Sequence, residues 1–405
     1  MVWSISLKIN FDLFKGESGN YFFINGMTAL AFSFIIPIMA LFLVEELGIE
    51  PGYIGFYTVG TALCTMVSSQ LMGGAADRGA DTKRLFLFCL AGLGFGAGAF
   101  SVIDEFWQAL LVGMFLMSIG ASSVPMLLTM IRKYAERSGK NSTKINTQMR
   151  SSVSLLWIVG PALGFASVDQ FGFRANFVIA MLIALGVWFF AVMKLPAGVK
   201  RTAKKQNETK TKLPGKVWYL GIAIFFANLA NSTYLNAMPL YLTKELGFSL
   251  SLPGLLIGMT AALEIPTMLW AGAWGERLGK IRMVTCSFIF AILFYVGIQF
   301  ASETWHFIAL QLLNGIFFGV FVGLGVTLLQ DYAQDSVGKA SAFYTNSMSI
   351  GTMCGTSLMG LVAQYYSFKT ALMTSMFAVT VSLLMFVLFG IYSQKFKLKE
   401  QLTTL

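Results

Sequence analysis

The sequence predicts an all-α membrane protein of twelve transmembrane helices arranged as two pseudo-symmetric six-helix bundles. Three observations carry that prediction: the composition, a series of long apolar windows, and an internal repeat. The chain has 405 residues, of which 56% are hydrophobic and 12% charged, and its mean hydropathy is +0.70. Soluble chains carry about 25% charged residues, so an ordinary water-facing surface cannot be built from this one. A soluble enzyme, a secreted disulfide scaffold and a disordered protein are thereby excluded. Cys64, Cys89, Cys286 and Cys354 are scattered through apolar stretches with no CxxC pair, and the only histidine is His306. There is little material for metal, hydrolytic or redox chemistry, and no cofactor is expected.

A bilayer core of about 30 Å needs about 20 helical residues. Cutting the chain at its charged residues leaves windows at 21–44, 53–76, 85–103, 106–131, 151–168 and 175–193, then at 217–243, 246–275, 283–302, 305–330, 340–368 and 370–394. Eleven lack Asp, Glu, Lys and Arg; the eighth holds Glu264 alone. None alternates in the way a membrane β-strand would. With the N-terminus in the cytoplasm, 26 of the 29 basic residues fall on the cytoplasmic side, leaving Arg174, Lys244 and Lys369 outside. The net charge of +10 is then a positive-inside signature, not a nucleic-acid footprint. Both termini are expected in the cytoplasm, with 1–17 a short cytosolic helix or tail and not a signal peptide.

Between spans six and seven, the segment 195–216 is flanked and filled by basic residues and reads as a cytoplasmic linker between bundles at 1–194 and 217–405. A repeat straddles it at an offset of 199 residues. Leu41, Leu43, Glu46, Leu47, Gly48 and Gly55 map onto Leu240, Leu242, Glu245, Leu246, Gly247 and Gly254, and Gly73, Asp77 and Arg78 onto Gly272, Glu276 and Arg277. Nine matches in one register mark duplicated halves in the same orientation, a plan similar to that of the major facilitator superfamily. The loops that follow spans two and eight, Gly73 to Arg84 and Gly272 to Arg282, resemble that superfamily's GxLaDRxGrr motif. A small residue there permits close helix approach. The adjoining carboxylates can cap a helix or pair with a base such as Arg132, latching the cytoplasmic side shut in an outward-open state; Asp331 belongs to the same ring of charges.

Within the spans, Trp157-Ile-Val-Gly-Pro-Ala-Leu-Gly164 resembles the antiporter signature GxxxGPxxGG in shortened form, and reads equally as a packing kink. Glu264 is the most informative residue. Burying its ionised form costs at least about 2.5 kcal/mol on insertion scales, so a protonation cycle is feasible; the readings are a proton site, a substrate anchor, or an ion pair with Arg150. Around it stand Asn228, Asn231 and Tyr234 in span seven, Gln311 and Asn314 in span ten, Tyr344 and Asn346 in span eleven, Asn25 in span one and Gln70 in span two. Amides donate and accept, which suits hydroxyls, and Trp157 or Tyr234 can stack on a sugar ring. Amides also glue helices together.

Asn231-Ser-Thr-Tyr234, Met238-Pro239, Gly258-Met-Thr-Ala-Ala-Leu-Glu-Ile-Pro266, Gln311-Leu-Leu-Asn314, Gln330-Asp331, Thr345-Asn346-Ser347 and Met149-Arg150 together resemble the bacterial sugar efflux transporter family. The resemblance covers nearly all twelve spans. It implies an exporter of sugars or glycosides of the lactose, glucose and thio-galactoside type, driven by proton antiport; the chain is expected in the bacterial inner membrane, working as a monomer. It also implies roles for Arg150, Asn231, Tyr234, Glu264, Gln311, Asn314, Asp331 and Asn346. The alternatives are a proton-coupled multidrug exporter, a uniporter, or a transport-inactive sensor.

Overall fold

The computed structural model describes residues 16–138, 142–196 and 214–403, and among them the chain is helical with no strand. Twelve helices follow in order. The first half holds α1 (Gly16–Glu46), α2 (Gly52–Asp77), α3 (Thr82–Phe100), α4 (Phe106–Arg137), α5 (142–171) and α6 (173–194). The second holds α7 (Gly215–Leu240), α8 (Ser251–Leu278), α9 (Lys280–Phe300), α10 (Thr304–Asp331), α11 (Val337–Tyr365) and α12 (Phe368–Thr403). Each predicted window finds its helix. The linker from 197 to 213 and residues 1–15 lie outside the described residues.

Helices α5 and α6 form one run interrupted at Gly172, whose φ of 80° and ψ of 170° leave the helical region. Only a residue without a Cβ adopts that conformation cheaply. Eight helical runs are long and apolar enough to cross a membrane by length and composition alone, and one of them, Ser152–Lys194, contains both α5 and α6. The other three helices, α2, α7 and α11, have 26, 26 and 29 residues. Two of these carry polar residues that satisfy each other: Asn228 donates to Thr352 Oγ1 at 2.7 Å, Ser232 and Thr356 hydroxyls bond at 2.9 Å, and Thr233 donates to the Gly355 carbonyl at 3.0 Å.

The repeat persists in the backbone. A π-helical turn closes α1 at Phe42–Glu46 and another follows α7 at Tyr241–Glu245, 199 residues later. Each leads to a glycine with positive φ, Gly48 at 63° and Gly247 at 71°.

The two halves are joined through α2 against α11, α5 against α8, and residues 39–41 against α7. The last turns of α4 pack on α2, α3 and α5, whereas α10 packs on α7, α8, α9 and α11, each inside its own half. The polar links between halves lie at the end of the bundle away from the chain termini. Lys244 Nζ stands 3.4 Å from Glu45 Oε1, and Gln364 donates to Glu50 at 2.5 Å. This far side is further sealed by Gly360, which sits against the Pro51 carbonyl, and by Gly254, where an added Cβ would come within 2.6 Å of the Pro161 carbonyl. At the termini side, Asp77, Arg78, Arg132, Glu276, Arg277 and Asp331 are all exposed. The molecule is closed at the far side and open toward its termini.

Candidate substrate and coupling site

Helix α8 is drawn into the molecule by glycines on both flanks. Gly258 packs on the Ile158 carbonyl of α5, next to the half-buried Trp157. On the other flank, a Cβ at Gly315 would meet Leu263 at 2.5 Å, and one at Gly319 would meet the Glu264 backbone at 2.8 Å. Side chains at those positions would push α8 away, so the glycines set the depth at which Glu264 enters. Its carboxyl has no hydrogen bond or ion pair with any described residue and is partly accessible. The side chain of Arg150, its suggested partner, lies outside the described residues.

One turn toward the far side, Thr260 is the hub of a buried polar cluster. Its hydroxyl lies 2.6 Å from Gln311 Oε1 and 3.0 Å from the Leu256 carbonyl, and has one proton for the two. Tyr234 donates to the same Gln311 oxygen at 3.4 Å, and Asn314 Nδ2 approaches Thr260 Oγ1 at 3.4 Å. Tyr234, Gln311 and Asn314 are each only 1% exposed, yet Asn314 Oδ1 has no partner. An unpaired buried acceptor costs about 1–3 kcal/mol, so this cluster is built to receive a donor. Asn231, one turn from Asn228 and 7% exposed, likewise makes no side-chain hydrogen bond with the described residues.

The remaining predicted residues have other surroundings. Asn25 Nδ2 donates to the Met149 carbonyl at 2.7 Å and to Ser152 at 3.0 Å, tying α1 to α5. Asn228 makes the equivalent bond to the Met348 carbonyl at 2.6 Å, tying α7 to α11. Met149 and Met348 are 199 residues apart and the two asparagines 203, so the halves reach equivalent carbonyls with amides placed one turn apart. Tyr344 lies over Gly325 toward the termini, and Asn346 is exposed.

At the loops the predicted charges stand exposed, as the side open toward the termini requires, and the latch expected of the outward-open state is not tested by this conformation. A Cβ on Gly73 or Gly272 would meet nothing within 4 Å, so neither is a close helix contact in this conformation. Arg132 pairs with Glu136 on its own helix at 3.0 Å. The helix cap is Asp81, which accepts from the backbone N–H groups of Lys83 and Arg84 at 2.8 and 3.4 Å. In the second half Lys280 bridges Glu276 at 2.8 Å and Asp331 at 2.7 Å beside a cleft of about 880 Å³. Arg277 lies 5.5 Å from the Trp274 ring centre.

Sequence reasoning passed over Thr260, Lys280, and the pairs Glu45–Lys244 and Glu50–Gln364. Thr260 had a signal, since it lies four residues before Glu264 and so on the same helical face. The far-side pairs join residues too distant in sequence for any spacing to reveal.

The family model of the Major Facilitator Superfamily matches residues 21–219 and 220–401. Sugar efflux transporter A of Dickeya chrysanthemi is 32% identical, with 84% of this chain and 88% of the relative covered. Sugar efflux transporter A of Escherichia coli K12 is 30% identical over 90% of this chain and 93% of the relative. Multidrug resistance protein MdtG of Escherichia fergusonii is 24% identical over 89% and 90%. Among solved structures, the nucleoside transporter NupG superposes with a TM-score of 0.77 at 13% identity, covering 93% of this chain and 99% of that one. At that identity the likeness is one of fold.

Proposed function

We propose that this chain, which belongs to the Major Facilitator Superfamily and within it to the sugar efflux transporters, exports sugars or glycosides of the lactose, glucose and thio-galactoside type in exchange for protons. The observation that carries this reading is the buried Tyr234–Gln311–Thr260–Asn314 cluster, with its unpartnered acceptor, one turn from the unpartnered Glu264. Hydroxyl-rich ligands offer the donors such a cluster lacks, and Asn231, Trp157 and Asn346 are the further sequence candidates for contact with the sugar.

The lysine and arginine distribution favours a cytoplasmic placement of both termini in a bacterial inner membrane. The open side of the present conformation then faces the cytoplasm, where sugar enters. Rocking of the halves about the α2–α11 and α5–α8 contacts would close that side and part Lys244 from Glu45. An ionised carboxylate is costly where water is excluded and tolerable where the cavity admits it. Alternating access would therefore load Glu264 with a proton from outside and release it inside as the sugar moves the other way. Arg150, on the facing helix α5, is the base best placed by sequence to help expel the proton. The energy source is the proton gradient, no cofactor takes part, and a monomer contains every residue named.

The test uses vesicles holding the purified protein, loaded with radiolabelled lactose or glucose and given a pH gradient. Gradient-driven flux in the wild type that Glu264→Gln abolishes is the expected result. Flux that ignores the gradient in both proteins makes the chain a facilitator. Absence of sugar flux would favour the second reading, a proton-coupled multidrug exporter, which the resemblance to MdtG supports and which resistance profiling against dyes and antibiotics would test.

A further inference from the structure

Helix α9 holds two polar side chains that neither packing nor the substrate cluster explains. Tyr295 is 0% exposed and its hydroxyl has no partner; four residues on, both amide atoms of Gln299 are buried and unpartnered. Buried polar groups of this kind are satisfied by protein or by ordered water, and here no described residue offers a partner. The two residues lie on one face of α9. The Tyr295 ring is centred 6.2 Å from that of Tyr234, and Tyr234 leads through Gln311 to Thr260, one turn from Glu264.

These groups lie at different depths. At 1.5 Å per residue, Gln299 lies within about 2 Å of the far-side end of its helix and Tyr295 about 8 Å in. By the same rise, Gln311 is about 10 Å in from the start of α10, Thr260 about 14 Å and Glu264 about 20 Å from the start of α8. Tyr234 is about 16 Å in from the π turn that ends at Glu245, so the groups span the depth from the far-side surface to the middle of the membrane, inside the second half.

We propose that Gln299 and Tyr295 line a file of water that carries protons from the far side, through the second half and not through the gap between the halves, to the Tyr234–Gln311–Thr260 flank of the substrate cluster and on to Glu264. The inference rests on the reading of Glu264 as the coupling site. Each water or hydroxyl in the file takes a proton on an oxygen lone pair and passes on another of its own. The amides of Gln299, Gln311 and Asn314 hold the waters in line but do not relay, and the last proton goes to the Glu264 carboxylate. Along the route the titratable side chains are Tyr295, Tyr234 and Glu264. At its mouth stand Glu303, which caps α10, and His306, whose Nδ1 accepts from the Ser302 and Glu303 N–H groups at 3.1 Å. Helix α12, which also packs on α9, has no titratable residue from 370 to 391.

The experiment compares Tyr295→Phe and Gln299→Leu in proteoliposomes by two readouts: sugar movement driven by a pH gradient, and counterflow of labelled against unlabelled lactose, which moves no net proton. Both substitutions are close in volume and remove unpartnered polar atoms, and retained counterflow reports a folded carrier. The expected result is a fall of about tenfold in the gradient-driven rate, as for one relay step slowed, with counterflow unchanged. Undiminished gradient-driven rates in both variants, where Glu264→Gln abolishes the flux, would overturn the route and leave the coupling site standing. Equal loss of both readouts would overturn it too, since the residues would then serve the carrier's movement. If Glu264→Gln keeps its gradient dependence, the coupling reading falls and the route with it.

Discussion

The two halves share a frame and differ in what they bury. In the frame, the π turns at Phe42–Glu46 and Tyr241–Glu245, the left-handed glycines 48 and 247, and the asparagine bonds to the Met149 and Met348 carbonyls all recur. The interiors diverge. At the 199-residue offset Glu264 answers to Thr65, Thr260 to Thr61, Tyr234 to Ile35, Tyr295 to Gly96 and Gln299 to Phe100. Thr61 merely returns its hydroxyl to the Tyr57 carbonyl at 2.8 Å, and Thr65 bonds Ser118 at 3.1 Å. Duplication supplied two scaffolds, and one of them was filled with polar groups that lack partners. Chemistry is therefore expected to respond to substitutions in the second half, and stability to those in either.

The sharpest way to break that contrast is to alter equivalent helix contacts. Gly258→Leu would drive a side chain into the Ile158 carbonyl, displacing α8 and Glu264 together. Transport is expected to fall at least about a hundredfold, on the scale of a misplacement of about 1 Å in a positioned group. Val59→Leu, the equivalent change in α2, should stay within twofold. Vesicle flux measured at matched expression checks both, and equal losses would remove the contrast.

Next in size is the substrate cluster. Asn314→Ala and Asn231→Ala should each weaken sugar binding by about tenfold, the loss of one or two hydrogen bonds at about 1 kcal/mol each. Folding should be unimpaired. Isothermal titration with purified protein reads the change, and unaltered affinity in both would move the binding site elsewhere.

The sequence made the membrane, the spans and the duplication legible because each depends on composition or on a fixed offset. It also singled out Glu264, since a lone carboxylate in an apolar window needs no structure to be noticed. It did not separate Asn228 from Asn231, which lie on one helix one turn apart. Only the position of α11 shows that the first amide is spent on Met348 and Thr352, whereas the second is free of such bonds. Nor could it show that Gly73 and Gly272 stand open while Gly254 and Gly258 carry the close approach, because which glycine meets a neighbour depends on how the halves rock.

Asn25 and Asn228 sharpen the comparison from the other side. If their bonds to equivalent carbonyls serve the same packing, Asn25→Ala and Asn228→Ala should lower stability by the same amount, about 1–2 kcal/mol for a buried amide whose carbonyl partner is left unpaired. Thermal unfolding in detergent should show matched shifts, with binding of lactose little changed. A fall in affinity in Asn228→Ala alone would instead place that amide against the substrate.

The smallest effect belongs to the far-side links. Lys244 and Glu45 are 37% and 32% exposed at 3.4 Å, and exposed pairs contribute about 0.2–1 kcal/mol. Glu45→Gln should therefore shift the balance between the two access states by no more than about fivefold. Added salt should weaken the wild-type link in the same direction, because screening acts on a pair this accessible. Spectroscopic distances between labels on the far-side ends of α2 and α11 would read both changes. A shift much beyond fivefold would mean that the pair acts with Glu50 and Gln364 as one latch; no shift would leave the far side held by the glycine contacts alone.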